Sequence, residues 1–257
     1  MKNTTYKYLG IILLFFVFVA LILVPIHKKP PVKKKLPVVV GRIAIVIDDW
    51  GYSLNNLPIV QQIKQPLTCA ILPGLKNSKL AMQELNNLGF EIILHLPMEP
   101  KEKYNLENNT ITIAMDAVKI HNVFEKDLAN IILARGVSNH MGSRVTEDKK
   151  TSTLVMAEAK KRNLYFFDSF VTNKSVCPIL SKKIGVKFAK RDVFLDNSND
   201  PEYIKGQLRK LKKIARNQGV AIGIGHDRKN TLLVLKEMLP QLEAEGYQFV
   251  FLSQVVR

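Results

Sequence analysis

Cysteine is nearly absent from this 257-residue chain. Its two cysteines, Cys69 and Cys177, lie 108 positions apart, and neither belongs to a metal or redox spacing, which excludes a zinc finger or a dithiol redox centre. The glycine-rich dinucleotide fingerprint is also missing after the first strand, so a nicotinamide or flavin site is rejected. No helix-turn-helix spacing occurs and aromatic residues do not interleave with basic ones, so the reading is no nucleic-acid partner, despite a formal net charge of +16. Acid is absent from residues 1–40, which hold seven of the 38 Lys and Arg; the remainder carries 31 basic against 22 acidic groups. A basic domain of this kind suits anionic partners such as phospholipid headgroups or acidic glycans. At 47% hydrophobic and 23% charged, the chain is ordinary globular material, long enough for one large core.

Residues 9–26 form one apolar run from Leu9 to Ile26, broken only by Gly10 and Pro25. Its length predicts a transmembrane signal anchor without a cleavage site, preceded by a short cytoplasmic N-terminus at 1–8. Residues 27–40 read as a Lys/Pro-rich tether, stiff and solvated. Lys2 and Lys7 flank the run on one side and Lys28, Lys29, Lys33, Lys34 and Lys35 on the other, a bias that favours a cytoplasmic domain. The expected location is nonetheless an inner membrane, crossed once, with the domain on the periplasmic side.

From residue 41 to residue 257 one unit repeats, a short apolar strand followed by an amphipathic helix. The stretch from Ile43 to Gly51 is the first strand, buried on both faces yet ending in the adjacent carboxylates Asp48 and Asp49. Strands are expected at 67–71, 91–94, 136–138, 164–167, 186–189, 220–224 and 248–252. Helices are expected at 54–63, 78–88, 116–133, 149–162 and 200–217, and after Thr231. Alternation on this spacing means parallel strands with crossover helices, and favours a closed or nearly closed (β/α) barrel over an open doubly wound sheet.

The polar residues gather where strands end. Asp48, Asp49, His95, Glu99, Asn139, His140, Asp168, Ser169, Asp196 and His226 all fall at or just past a carboxyl end, the rim where parallel α/β proteins bind ligands. Three of the five histidines are among them; His121 sits on an ordinary helix face and His27 at the membrane flank. Carboxylate and imidazole with an open position are what a catalytic divalent cation takes, Zn2+ first, with Mn2+, Co2+ or Fe2+ as alternatives. Two adjacent acids with different tasks and a remote imidazole, here Asp48, Asp49 and His226, fit a cation-assisted hydrolysis.

From Gly41 to Arg257 the chain resembles the divergent polysaccharide deacetylases, the "polysaccharide deacetylase 2" branch of the NodB-like carbohydrate esterases. The resemblance rests on IDDWG, GFEIILHLPMEP, NHMGSRVTED, LYFFDS, RDVFLDN and GIGH, in that order. It implies a distorted (β/α)7–8 barrel and cation-dependent removal of N- or O-acetyl groups from an acetylated polysaccharide or peptidoglycan. Position by position it implies Asp48 as general base, Asp49 as metal ligand and His226 as general acid. Where the wider superfamily has two histidines four positions apart, His95 is followed at that spacing by Glu99, so the favoured metal set is Asp49, His95 and His140, with Glu99 as the fallback. Asn139 and Asp168 are expected as further ligands or orienting groups, and Arg144, Ser169 and Asp196 as substrate contacts. Asp227 follows His226 where this branch implies Pro. Two other readings stay open: a deacetylase-fold protein without catalysis that binds a glycan or a partner in the envelope, and a hydrolase acting on a different ester, phosphate or amide.

Overall fold

A computed structural model describes residues 39–257. The expected membrane anchor, the N-terminus before it and nearly all of the tether lie outside the described residues, and no helix among the described residues is long and apolar enough to cross a membrane.

The chain alternates as expected: β1 (Gly41–Trp50), α1 (Leu57–Val60), β2 (Thr68–Ile71), α2 (Ser78–Asn87), β3 (Glu91–Met98), α3 (Ala117–Asn130), β4 (Gly136–Met141), α4 (Lys149–Lys161), β5 (Tyr165–Asp168), α5 (Cys177–Ile184), β6 (Phe188–Lys190), β7 (Val193–Phe194), α6 (Pro201–Gln218), β8 (Val220–His226), α7 (Lys229–Ala244) and β9 (Tyr247–Val250). Side-chain caps start α3, α4 and α6, where Asp116, Asp148 and Asp200 each accept a first-turn amide hydrogen bond. The first expected helix shrinks to one turn, opened by Pro58.

All nine strands form one parallel sheet in the order β6-β5-β4-β3-β2-β1-β8-β7, and β9 pairs with the first half of β1. The sheet curls into a half-barrel, so the expected closed or nearly closed (β/α) barrel holds in its curl and parallel strands and stops short of closure. Its two ends, β6 and β7, are only three and two residues long and do not pair with each other. The C-terminus instead lies along the β6 edge, where Phe188 and Arg257 exchange backbone hydrogen bonds.

Strand alternation sorts side chains into two cores. Ile43, Ile45 and Ile47 of β1 face the helices, whereas Ala44 and Val46 face the concave interior together with Ala70, Ile93, Tyr165, Phe167, Ile222 and Ile224. The interior is shut at the amino ends of the strands, where Thr68 and Tyr165 donate to Glu91 beneath Leu252 and Ser253. The interior opens instead at the carboxyl-end rim.

Candidate functional site

The same period of two that makes the interior carries polar groups to its mouth. Counting on from Val46 reaches Asp48, from Ile93 reaches His95, and from Ile224 reaches His226, while Ser138 and His140 alternate in β4. The strands run further than the apolar pattern alone suggests: β3 continues through Met98 and β4 through Met141, so both histidines sit within strands. Pairing places His95 beside Ser138 and Asp48 beside His226.

Asp49 belongs by alternation to the opposite face. A break in the β1–β2 register after Ile47 and a left-handed backbone at Asp49, φ 67°, bring its carboxylate onto the rim. Gly51 turns the chain away with φ 120°, and a side chain there would press on Ser78 and the Leu72 carbonyl.

Asp49 Oδ1 then stands 3.4 Å from His95 Nε2 and 3.0 Å from His140 Nδ1. One nitrogen from each imidazole and one oxygen of Asp49 lie within 4.8 Å of one another. Asp49 Oδ1 and Asp48 Oδ1 are buried without a hydrogen-bond partner, as acceptors facing a positive centre would be. Two ligands each ~2.0–2.1 Å from a tetrahedral zinc would be ~3.3–3.4 Å apart, close to the separations here. The residues therefore fit a divalent cation. Burial pushes the Asp49 carboxyl up, but the imidazoles of His140 and His95 outweigh it and hold it well below the usual carboxylate range. Burial pulls His140 down, and Asp49 and Glu107 outweigh that, raising it to about 9 in the absence of a cation.

Asp48 is in a different environment. It is fully enclosed, its pKa is raised by burial against the opposing pull of His95 and His226, and its Oδ2 is 3.7 Å from His95 Nε2. On the neighbouring strand β8, His226 gives Nδ1 to Asp196 Oδ1 at 2.7 Å. Burial lowers the His226 pKa, yet the bond to Asp196 and the charges of Asp48 and Asp49 carry it above its ordinary value. A cavity of about 190 Å³ joins these groups, lined also by Asn139, Ser169, Val171 and Phe194.

The other expected residues divide into linings and braces. Ser169 reaches the cavity, but its amide and hydroxyl are spent on Asn139 Oδ1 and the Asn139 carbonyl, a latch between the ends of β4 and β5. Asp168 accepts from the Phe170 amide and the Ser175 hydroxyl below the rim. Asp196, expected as a substrate contact, is completely buried behind His226 and also accepts from the His226 amide and the Thr231 hydroxyl. Glu99 turns away from the imidazoles to the Ile113 amide and to Arg144. Asp227 uses its backbone N–H to bind the Asp48 carbonyl, a bond that Pro at this position would lack.

Sequence reasoning passed over Ser138, Tyr52 and Glu107. Ser138 Oγ meets His95 Nδ1 at 2.7 Å, and Glu107, from the connection between β3 and α3, approaches the far nitrogen of His140. A second carboxylate–imidazole group, His121, Glu125 and Glu158, lies on α3 and α4, where Lys161 and Arg162 already neutralise it.

Residues 45–256 match the family model described as divergent polysaccharide deacetylase. The chain is 35% identical over 206 residues to the uncharacterized protein YibQ of Escherichia coli K12, covering 80% of this chain and 65% of that one, so it spans slightly less than two thirds of that relative. Among solved structures, the uncharacterized protein ATU2773 from Agrobacterium tumefaciens superimposes with a TM-score of 0.81 at 25% identity over 84% of this chain and 89% of that one. A family 4 carbohydrate esterase from Streptomyces lividans, solved with acetate, shares the fold at a TM-score of 0.52 and 12% identity over 84% and 96% of the two chains.

Proposed function

From the premise that this chain belongs to the divergent polysaccharide deacetylase family, we propose that it is a cation-dependent carbohydrate deacetylase, removing N- or O-acetyl groups from polysaccharide or peptidoglycan. The observation that carries the reading is the pair of neighbouring aspartates held in opposite electrostatic states at one mouth, Asp49 among imidazoles and Asp48 enclosed, with His226 beside Asp48 on the next strand.

Asp49, His95 and His140 would hold the ion, zinc first and manganese, cobalt or iron after it. The chemistry such an ion would supply there, when bound, is polarisation of the acetyl carbonyl and acidification of the attacking water. Asp48 takes the proton that the water loses as its oxygen bonds to the acetyl carbon. His226, with Nδ1 tied to Asp196, presents Nε2 to the cavity and delivers its proton to the sugar nitrogen or oxygen as the bond to the acetyl carbon breaks. The products are acetate and a free amine or hydroxyl. Phe194 stacks on the His226 ring at 6.0 Å between centroids and walls that side of the cavity.

We propose further that residues 9–26 anchor the protein in the inner membrane with the domain on the periplasmic side, where peptidoglycan lies. Reporter fusions at the C-terminus would test that side directly.

The deciding experiment is zinc binding and acetate release by the full chain in detergent, with acetylated chito-oligosaccharides and peptidoglycan as substrates, beside Asp48→Asn and His140→Ala. One zinc equivalent, loss of it in His140→Ala, and loss of turnover with zinc retained in Asp48→Asn support the reading. Zinc binding with no turnover of any acetylated substrate would favour a glycan-binding protein.

A further inference from the structure

The two imidazoles at the mouth present opposite nitrogens to one carboxylate oxygen. His95 turns Nε2 to Asp49 and leaves Nδ1 with Ser138; His140 turns Nδ1 to Asp49 and leaves Nε2 pointing away. A neutral imidazole has one lone pair and one N–H, so each ring can offer a lone pair to an ion only if its far nitrogen keeps the proton. Ser138 can accept or donate, so it permits that state at His95 without imposing it. An ionised carboxylate accepts only, so it would impose that state on His140.

Glu107 is placed to do this. Its Oε1 lies 3.4 Å from His140 Nε2, a buried nitrogen that has no hydrogen-bond partner. The carboxylate is held in turn by the Tyr52 hydroxyl, which donates to the same Oε1 at 2.6 Å across 55 positions of sequence. Tyr52 lies three residues beyond Asp49, so one stretch of chain supplies both the shared ligand oxygen and the clamp on Glu107.

The connection that brings Glu107 has no regular structure of its own and is fastened on both sides of that residue. The Glu107 carbonyl accepts from the Thr110 amide and hydroxyl, and Asn109 donates to the buried carboxylate of Asp127 on α3. A glutamate on a loose connection would gain nothing from such fastening. One that must meet a ring nitrogen needs it.

We propose that Glu107 is a positioning residue for the cation site: with Tyr52 behind it, it keeps the proton on His140 Nε2 and so turns the Nδ1 lone pair toward the ion. The proposal rests on Asp49, His95 and His140 as the ligand set. Outer carboxylates on ligating histidines typically change metal affinity ~10–100-fold.

The test uses the full chain in detergent, zinc as the probe, calorimetric affinity as the first readout, and the 15N shifts of the His140 ring in the zinc-loaded protein as the second. Glu107→Ala is expected to weaken zinc ~10–100-fold with an unchanged melting temperature, and to mix the two His140 tautomers that the wild type resolves. Tyr52→Phe, which removes one hydroxyl from an exposed side chain, is expected to weaken zinc a few-fold in the same direction and covers the case in which Glu107→Ala does not fold. Since Tyr52 acts through Glu107, Tyr52→Phe added to Glu107→Ala should weaken zinc no further. Wild-type affinity and a single tautomer in Glu107→Ala would overturn this inference and leave the ligand set standing. Absence of zinc binding in the wild type would overturn both.

Discussion

Replacing Asp196 by Asn changes one atom and should disable the acid side of the site while weakening the fold. The carboxylate is wholly buried and accepts three hydrogen bonds, from His226 Nδ1 at 2.7 Å, the His226 amide at 2.8 Å and the Thr231 hydroxyl at 2.7 Å. Asn can satisfy the amide and hydroxyl with its carbonyl only by aiming its NH2 at Nδ1, which must then give up its proton. Hydrogen bonds to a charged group contribute ~1.5–3 kcal/mol each, and losing that character at one buried bond should cost about 2–3 kcal/mol. For a domain of this size that is a fall of roughly 4–12 °C in melting temperature. The pH dependence has a definite sign. His226 is raised in the folded protein, so its contribution is full below the unfolded value near 6.5 and is lost as pH rises through the folded pKa. Asp196 is lowered, so its contribution is present above its unfolded value and is lost as pH falls through the folded one. The pair therefore stabilises most between those limits, and the Asn variant should flatten that window. Proton NMR titration of His226 with parallel thermal melts from pH 4 to pH 9 measures both effects. An unshifted His226 pKa in Asp196→Asn would refute the assignment of Asp196 as the group that charges the imidazole.

Gly225→Ala places a Cβ 2.7 Å from the Thr231 methyl and 3.6 Å from Asp196 Oδ2, so it should destabilise by ~1–3 kcal/mol and lower the His226 pKa, checked by melting and by the same titration. Asp127, fully buried with one oxygen unpaired, has its pKa raised by burial to about 6, so wild type should lose stability relative to Asp127→Asn as pH climbs from about 4 through 6. Equal pH profiles of unfolding would contradict that. Asp49→Ala and His95→Ala should each abolish zinc binding by calorimetry, whereas His226→Ala should leave affinity nearly unchanged and slow acetate release ~10²–10⁴-fold.

The rim was legible because an apolar strand ending in charge is locally inconsistent, and such inconsistencies collect where parallel strands terminate. Asp48, His95 and His226 could be found that way, since each continues an interior-facing alternation that apolar residues begin, whereas His140 follows Gly136 and Ser138 and is marked only by its place at a strand end. Closure of the barrel was not legible: it turns on whether the short segments 188–190 and 193–194 reach each other, and no local pattern records a gap between two strand edges. The backbone at Asp49 was equally hidden, for nothing in Asp-Asp-Trp-Gly announces a left-handed residue that rotates one carboxylate by a face.

The residues that hold other residues were harder to see than those that line the cavity. Asp196 follows a strand end as the ligands do, and only its burial separates a group that faces a substrate from one that faces an imidazole. Glu107 has no strand to follow at all. It stands in an Asn-rich connection whose composition reads as solvent-exposed loop, and its significance comes from Tyr52 and His140, brought to it from different parts of the chain, with Asn109 fastening the connection to Asp127. A strand-end search therefore finds the groups that alternation carries to the rim and passes over those that loops deliver. The relation between Glu107 and His140 has to be sought in the folded chain, as the partner of a ring nitrogen otherwise left alone in the interior.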